Sequence, residues 1–310
     1  MDAAARAPLR GITPTGLRGV IPPIFTPFTY GGEAVDSDAL GAHAGWLLEK
    51  GVHGLMPCGT TGEGPLLSSE ERMQVLGVVL DVAAGRVPVV AHIGAATTAE
   101  TVALALDAVD RGAAALSVVC PYYYRLPPPA LVDHFVTVAR AVSQAPVYLY
   151  NIPQLTGNAL ASALASEIVA RAPNVVGIKD SAGNLQALKE YGTVDGGRFQ
   201  VICGSDGLIL PALRQGAVGC VSGNANVFPE LVVGLFESYR LGQEARAEQL
   251  QATLDRVRSI MLDGRSIGLM KRMLEWRGPR AGSVRPPLPE VEDAAVRAAA
   301  QKLGDLGLLP

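Results

Sequence analysis

Along the chain, short runs rich in β-branched and apolar residues alternate with longer stretches in which apolar positions recur at helical spacing. That is the pattern of repeated βα units and a parallel sheet. The apolar runs are Val20–Phe25, Gly54–Pro57, Val87–His92, Ala115–Val119, Val147–Tyr150, Val175–Lys179, Phe199–Cys203 and Gly219–Ser222. Helical stretches fill the gaps at residues 37–50, 68–84, 98–111, 129–142, 159–171, 184–193 and 207–215, several of them opened by a capping Ser, Thr or Asn. Eight such units, spaced near the ~31 residues of a barrel repeat, predict an α/β fold, a closed (β/α)8 TIM barrel. A doubly wound open sheet is the rival, weakened because no GxGxxG follows the first run. Beyond the eighth run, residues 229–241, 243–261, 266–276 and 291–303 also read as helix. The expected organisation is therefore a barrel carrying the catalytic site over residues 1–227 and a small helical C-terminal domain over 228–310.

Composition narrows the partners. The formal net charge is -3 and no cluster of Lys and Arg is dense enough to attract a polyanion, so nucleic acid is not expected. The first ten residues lack the apolar core of a signal peptide, and no apolar stretch is long enough to span a bilayer, which makes the cytoplasm the expected compartment. The four cysteines, Cys58, Cys120, Cys203 and Cys220, form no CxxC pair and sit near the ends of apolar runs, as buried thiols do. His43, His53, His92 and His134 show no HxxxH or HExxH spacing, and no metal is expected.

Barrels of this kind carry their reactive groups at the C-terminal ends of the strands. Those positions hold Cys58-Gly-Thr-Thr-Gly-Glu63, Pro121-Tyr-Tyr-Tyr124, Tyr150-Asn-Ile-Pro153 and Gly177-Ile-Lys-Asp180. Lys179 ends an apolar run and would point into the barrel mouth, where desolvation disfavours the ammonium and supplies the neutral amine that a Schiff base requires. Taken alone it would read as a strand-end lysine reaching for solvent. Tyr150 changes the picture: 179 − 150 = 29 residues separates them, about one βα unit, so both reach one cavity from neighbouring staves. A phenol beside an imine nitrogen can shuttle protons. Gly59-Thr60-Thr61-Gly62 offers backbone N–H groups and hydroxyls in a turn suited to a small carboxylate, with Glu63 placed to fix the turn rather than to act as an acid.

Together these segments resemble the dihydrodipicolinate synthase and N-acetylneuraminate lyase family of pyruvate-dependent class I aldolases. The resemblance covers nearly the whole chain, through Gly19-Val-Ile-Pro-Pro-Ile-Phe-Thr-Pro-Phe28, Gly59–Glu63, Pro121–Tyr123, Tyr150–Pro153, Gly177-Ile-Lys-Asp-Ser181 and Gly204-Ser-Asp206. It implies a Schiff-base Lys179, a proton-shuttling Tyr150 and a pyruvate carboxylate held by Thr60 and Thr61. It also implies a relay through the Thr60 hydroxyl to Tyr123 of a neighbouring subunit in a homotetramer, and it sets Gly59, Leu155 and Val221 against the substrate. The synthases usually carry arginine where this chain has Leu155, and an apolar side chain cannot replace that bidentate clamp on aspartate semialdehyde. Ala96 replaces the asparagine of lysine-inhibited members. Leu155, Asp206 and Ser222 match the sialic acid lyases, yet Gly207 stands where those enzymes hold a long polyol tail with glutamate.

The expected activity is thus reversible aldol cleavage of a shorter 2-oxo-3-deoxy sugar acid, of the 2-keto-3-deoxygluconate type, into pyruvate and an aldehyde. Rival activities are dihydrodipicolinate synthase, N-acetylneuraminate lyase and a sugar-acid dehydratase that keeps the Schiff base; a non-catalytic 2-oxo-acid sensor is the rival of another class. No cofactor is called for, because the lysine itself acts as the electron sink. For Asp206 the competing reading is a helix N-cap before residues 207–215, and for Ser222 a residue satisfying the last strand's turn.

Overall fold

A computed structural model describes residues 12–13 and 16–309. A two-residue ribbon, β1 (Ile12–Thr13) antiparallel to β2 (Gly16–Leu17), precedes the barrel. Seven parallel strands then run in the spatial order β3 (Gly19–Val20), β9 (Gly219–Cys220), β8 (Gln200–Cys203), β7 (Val175–Asp180), β6 (Val147–Asn151), β5 (Ala115–Val119) and β4 (Val90–His92). The remaining gap, between β3 and β4, is filled by residues 53–56. This segment is reduced to one parallel bridge, Leu55 to Val89, yet it bonds on both sides. His53 N and Met56 N donate to Val20 O and Pro22 O at 2.8 and 3.0 Å, while Leu55 N donates to Pro88 O at 3.0 Å and Leu55 O accepts from Val90 N at 2.9 Å. These bonds close the barrel. The prolines at 22, 23, 57 and 88 lack N–H groups, so the first two staves cannot carry a full ladder and are shorter than their apolar runs.

The helices begin where the sequence provides caps. Asp36 accepts from Ala39 N at the start of α1 (Ser37–Glu49) and Thr97 from Glu100 N at the start of α3 (Thr98–Asp110), while Ser68 and Glu71 form a reciprocal capping box on α2 (Ser69–Ala83). The ring continues with α4 (Pro128–Ala141), the single turn α5 (Pro153–Thr156), α6 (Ser162–Arg171), α7 (Leu185–Tyr191) and α8 (Ile209–Arg214). Next comes α9 (Pro229–Arg240), which touches β3 and α8 on the barrel side and packs most extensively on the helix that follows it. Then follow α10 (Glu244–Ile260), α11 (Ile267–Glu275) and α12 (Asp293–Asp305), with α12 packing on both α10 and α11.

Alternation along the strands produces two apolar layers. Ile21, Met56, Val90, Tyr148, Ile202 and Val221 lie on different staves and can meet only inside the barrel. The larger cluster lies between strands and helices. Leu17 plugs the N-terminal end, where its N–H donates to the Tyr148 hydroxyl at 3.1 Å, and that hydroxyl donates on to Gln200. The interior is filled to the level of Tyr148, so a ligand can enter only from the opposite, C-terminal mouth. All four cysteines are free and buried, and burial pushes the thiols of Cys58, Cys120 and Cys203 up to about 12, which leaves them protonated and unreactive.

Candidate active site

Register brings the central pair together. Tyr150 lies directly opposite Lys179 across β6 and β7, so both side chains take the inward direction. One position further on, Asn151 and Asp180 are also opposite, and the Asn151 amide donates to the Asp180 carboxylate at 2.6 Å, pinning the two strand ends. Lys179 is only 5% exposed, and its Nζ lies 3.8 Å from the centre of the Tyr150 ring. The Tyr150 hydroxyl is 3.2 Å from Thr60 Oγ1, in reach for a proton to pass between them. His92 packs its ring edge-on against Tyr150, 5.8 Å between centres. Burial first, then the charges of Arg72 and Lys179, holds that imidazole well below the usual histidine range, so His92 is a neutral wall.

The turn that carries Thr60 and Thr61 folds back on itself. Glu63 N donates to Thr60 O at 3.1 Å and Gly64 N to Gly59 O at 3.0 Å. A Cβ on Gly64 would stand 1.9 Å from Cys58 O, so only glycine permits this closure. Glu63 adopts a left-handed backbone, φ 56°, and its buried carboxylate receives Lys271 Nζ at 2.5 Å and Arg285 N at 2.8 Å. It therefore binds the turn to the C-terminal helices and does not face the cavity.

A cavity of 540 Å3 opens over Lys179, lined on its inner side by Thr60, Thr61, Tyr150 and Val221 and on its outer side by Leu155 and Asp206. That volume suits a small metabolite. Leu155 is 60% exposed at the rim. Asp206 caps no helix, since the short turn it starts has no side-chain cap. Its Oδ2 instead accepts from Asn224 N at 3.2 Å and Asn224 Nδ2 at 2.6 Å. The other carboxylate oxygen and Asn224 Oδ1 are buried without a hydrogen-bond partner, on two residues that line the cavity. Above Gly207 the space is taken by Arg258 of α10, whose Nη1 would lie 1.9 Å from a Cβ there. Arg258 also lines the cavity and is held by Asp255 and Asp263 at 3.4 and 3.2 Å.

Of the residues singled out from the sequence, Lys179, Tyr150, Thr60, Thr61, Leu155, Asp206 and Val221 converge on this cavity. Gly59 shapes the turn behind it. Ser222 is fully buried with its Oγ accepting from Ala225 N at 3.1 Å, so it satisfies the turn after β9 and does not line the cavity. Tyr123 lies away from this chain's cavity, 87% exposed, with φ 82° and its ring edge-on to Tyr124. Asn224 and Arg258 escaped the sequence reading. Asn224 follows the last strand by a few residues and lay within reach of a strand-end search. Arg258 sits on a C-terminal helix whose packing over the barrel mouth no local pattern reveals. Among the described residues no group of His, Cys, Asp and Glu side chains could hold a metal ion, and no helix is long and apolar enough to cross a membrane.

Comparison with known proteins agrees with this geometry. The family model described as the dihydrodipicolinate synthetase family matches residues 16–305. An uncharacterized DapA-like lyase of Halobacterium salinarum is 42% identical over all 310 residues and the whole of its own length. A 4-hydroxy-tetrahydrodipicolinate synthase of Methanopyrus kandleri is 36% identical over 95% of this chain and 98% of its own. Among solved structures, YagE of Escherichia coli K12, a prophage protein of the dihydrodipicolinic acid synthase family determined in complex with pyruvate, superposes with a TM-score of 0.89. It is 31% identical over 94% of this chain and 99% of its own. With a barrel mouth, a buried lysine and a facing phenol arranged on this frame, the chain belongs to the dihydrodipicolinate synthetase family and is a Schiff-base class I carbon–carbon lyase.

Proposed function

We propose that the protein cleaves and forms a 2-oxo-3-deoxy sugar acid of the 2-keto-3-deoxygluconate type, with Lys179 as the Schiff-base residue. The Lys179 amine adds to the C2 carbonyl and water leaves to give the imine, while the hydroxyls and N–H groups of Thr60 and Thr61 receive the C1 carboxylate. Tyr150 takes the proton from the C4 hydroxyl, the C3–C4 bond breaks, and its electron pair moves into the protonated imine. Aldehyde leaves, the enamine takes a proton at C3, and hydrolysis of the new imine frees pyruvate and the amine. The relay through Thr60 continues to Tyr123 of a neighbouring subunit in a cytoplasmic homotetramer; in support, Tyr123 holds a strained, exposed conformation that a second chain would cover.

The observation that carries the substrate class is the pair of unpartnered acceptors, Asp206 Oδ1 and Asn224 Oδ1, beside the cavity. Hydroxyl groups of a sugar chain donate to such oxygens. The synthase reading, which the Methanopyrus relative's name favours, needs a cationic clamp; the rim position where the synthases carry it offers Leu155, so the clamp would have to come from Arg258 or Arg265, which line the same cavity. The deciding experiment offers pyruvate with glyceraldehyde, N-acetylmannosamine or aspartate semialdehyde and identifies the condensation product. Glyceraldehyde should condense, and an Asp206→Ala variant should weaken that reaction while borohydride still traps pyruvate on Lys179. Exclusive use of aspartate semialdehyde would replace this reading with the synthase. Turnover of none of the three, with pyruvate still trapped, would leave a 2-oxo-acid sensor.

A further inference from the structure

The turn bearing Thr60 and Thr61 is held in place from the other end of the chain. Glu63 closes the turn in a left-handed conformation that a side chain rarely adopts, and such a residue persists only where its surroundings over-determine it. What surrounds it is a cluster buried at Glu63, Lys271 and Thr26 and half-buried at Ser283 and Arg285. Lys271 Nζ, on α11, donates to Glu63 Oε1 at 2.5 Å, Thr26 O at 2.8 Å and Ser283 O at 2.7 Å. Three acceptors match the three protons of an ammonium facing the Glu63 carboxylate. Thr26 returns to the same turn by donating its hydroxyl to Gly62 O at 2.7 Å. The second Glu63 oxygen accepts from Arg285 N, and the Arg285 guanidinium clasps Glu71 and Leu66 O just beyond the turn. The preceding residue of α11, Met270, lines the same cavity as Thr61, and Gly223 lies beside both.

From this convergence we infer that Lys271 is a positioning residue for substrate: through Glu63 it fixes the turn that recognises the carboxylate of the 2-oxo acid. Its loss therefore weakens recognition of that carboxylate more than it weakens reaction at the ketone. The α11 helix is in that sense part of the binding site, although Lys271 touches no substrate. The inference rests on the proposed role of Lys179 and of the Thr60–Thr61 turn, and the test separates the two.

The test measures borohydride trapping, by intact mass, of pyruvate and of hydroxyacetone, a ketone of similar size without the carboxylate. The wild-type protein should trap pyruvate at much lower concentration. In Lys271→Met that preference should fall by about tenfold or more, the scale of one lost charge-assisted hydrogen bond, while trapping of hydroxyacetone at saturation is kept. A matched loss of stability made elsewhere, Leu235→Ala in the buried face of α9, should leave the preference intact, because a merely structural effect acts on both ketones alike. If Lys271→Met does not accumulate folded, the near-isosteric Glu63→Gln takes its place and the same ratio decides. A folded variant with the wild-type preference overturns the inference. Failure of the wild-type protein to trap either ketone, or to prefer pyruvate, overturns instead the reading of Lys179 and of the turn.

Discussion

Removing one oxygen, in Tyr150→Phe, separates the chemical from the architectural role of that ring. The aromatic face that meets Lys179 at 3.8 Å and the edge contact with His92 both survive the change, so the lysine keeps its wall and its direction. What disappears is the hydroxyl 3.2 Å from Thr60 Oγ1. A hydrogen bond of this kind contributes about 0.5–1.5 kcal/mol to stability, and Thr60, half-buried at the mouth, can bond to water in its place. Loss of a positioned acid–base group lowers a rate by about 10²–10⁴, or about 2.7–5.5 kcal/mol in the barrier. The variant should therefore melt within a few degrees of the parent and bind pyruvate, yet form the borohydride-trappable adduct and release pyruvate from a sugar acid at least about 100 times more slowly. Stopped time courses of the adduct by intact mass, beside a coupled assay for pyruvate, give both rates. A folded variant slowed by less than tenfold would refute the reasoning, since the phenol would then be packing and nothing more.

Two further changes test the reading away from the centre. Leu155→Arg places a guanidinium at the 60% exposed rim position and should raise kcat/KM for condensation with aspartate semialdehyde by about tenfold or more while lowering it for glyceraldehyde; competition between the two aldehydes reads the ratio, and an unchanged ratio would remove Leu155 from the account of specificity. His43 is wholly buried between Phe25 and Trp46, and burial holds its imidazole down at about 3. Because the folded value is depressed, the native protein stays neutral there while the unfolded chain takes a proton below about 6.5. The stability present above that pH is lost as pH falls toward about 3, by about 1.4 kcal/mol per unit. Urea midpoints at pH 7 and pH 5 should show a smaller acid loss in His43→Gln than in the parent; equal losses would contradict the assignment.

Sequence periodicity alone determined the barrel, the order of its units and the strand ends where chemistry collects, because each depends on residues a few positions apart. Alternation sets which side chains face inward, caps set where helices begin, and a lysine closing an apolar run carries its own signature. Proline placement also accounts for the thin first two staves, though only the paired hydrogen bonds at residues 53–56 show that the ring still closes there. Tertiary structure decided everything that joins distant positions. Strand register set Tyr150 opposite Lys179, and the fold turned Asp206 toward Asn224 while turning Ser222 into its own loop. It also packed α9 between the barrel and α10, where helical periodicity cannot say which neighbour a helix will have. The bond from Glu63 to Lys271 spans 208 residues, and no local pattern encodes it, because the energy that holds it comes from burial that exists only once the C-terminal helices have docked.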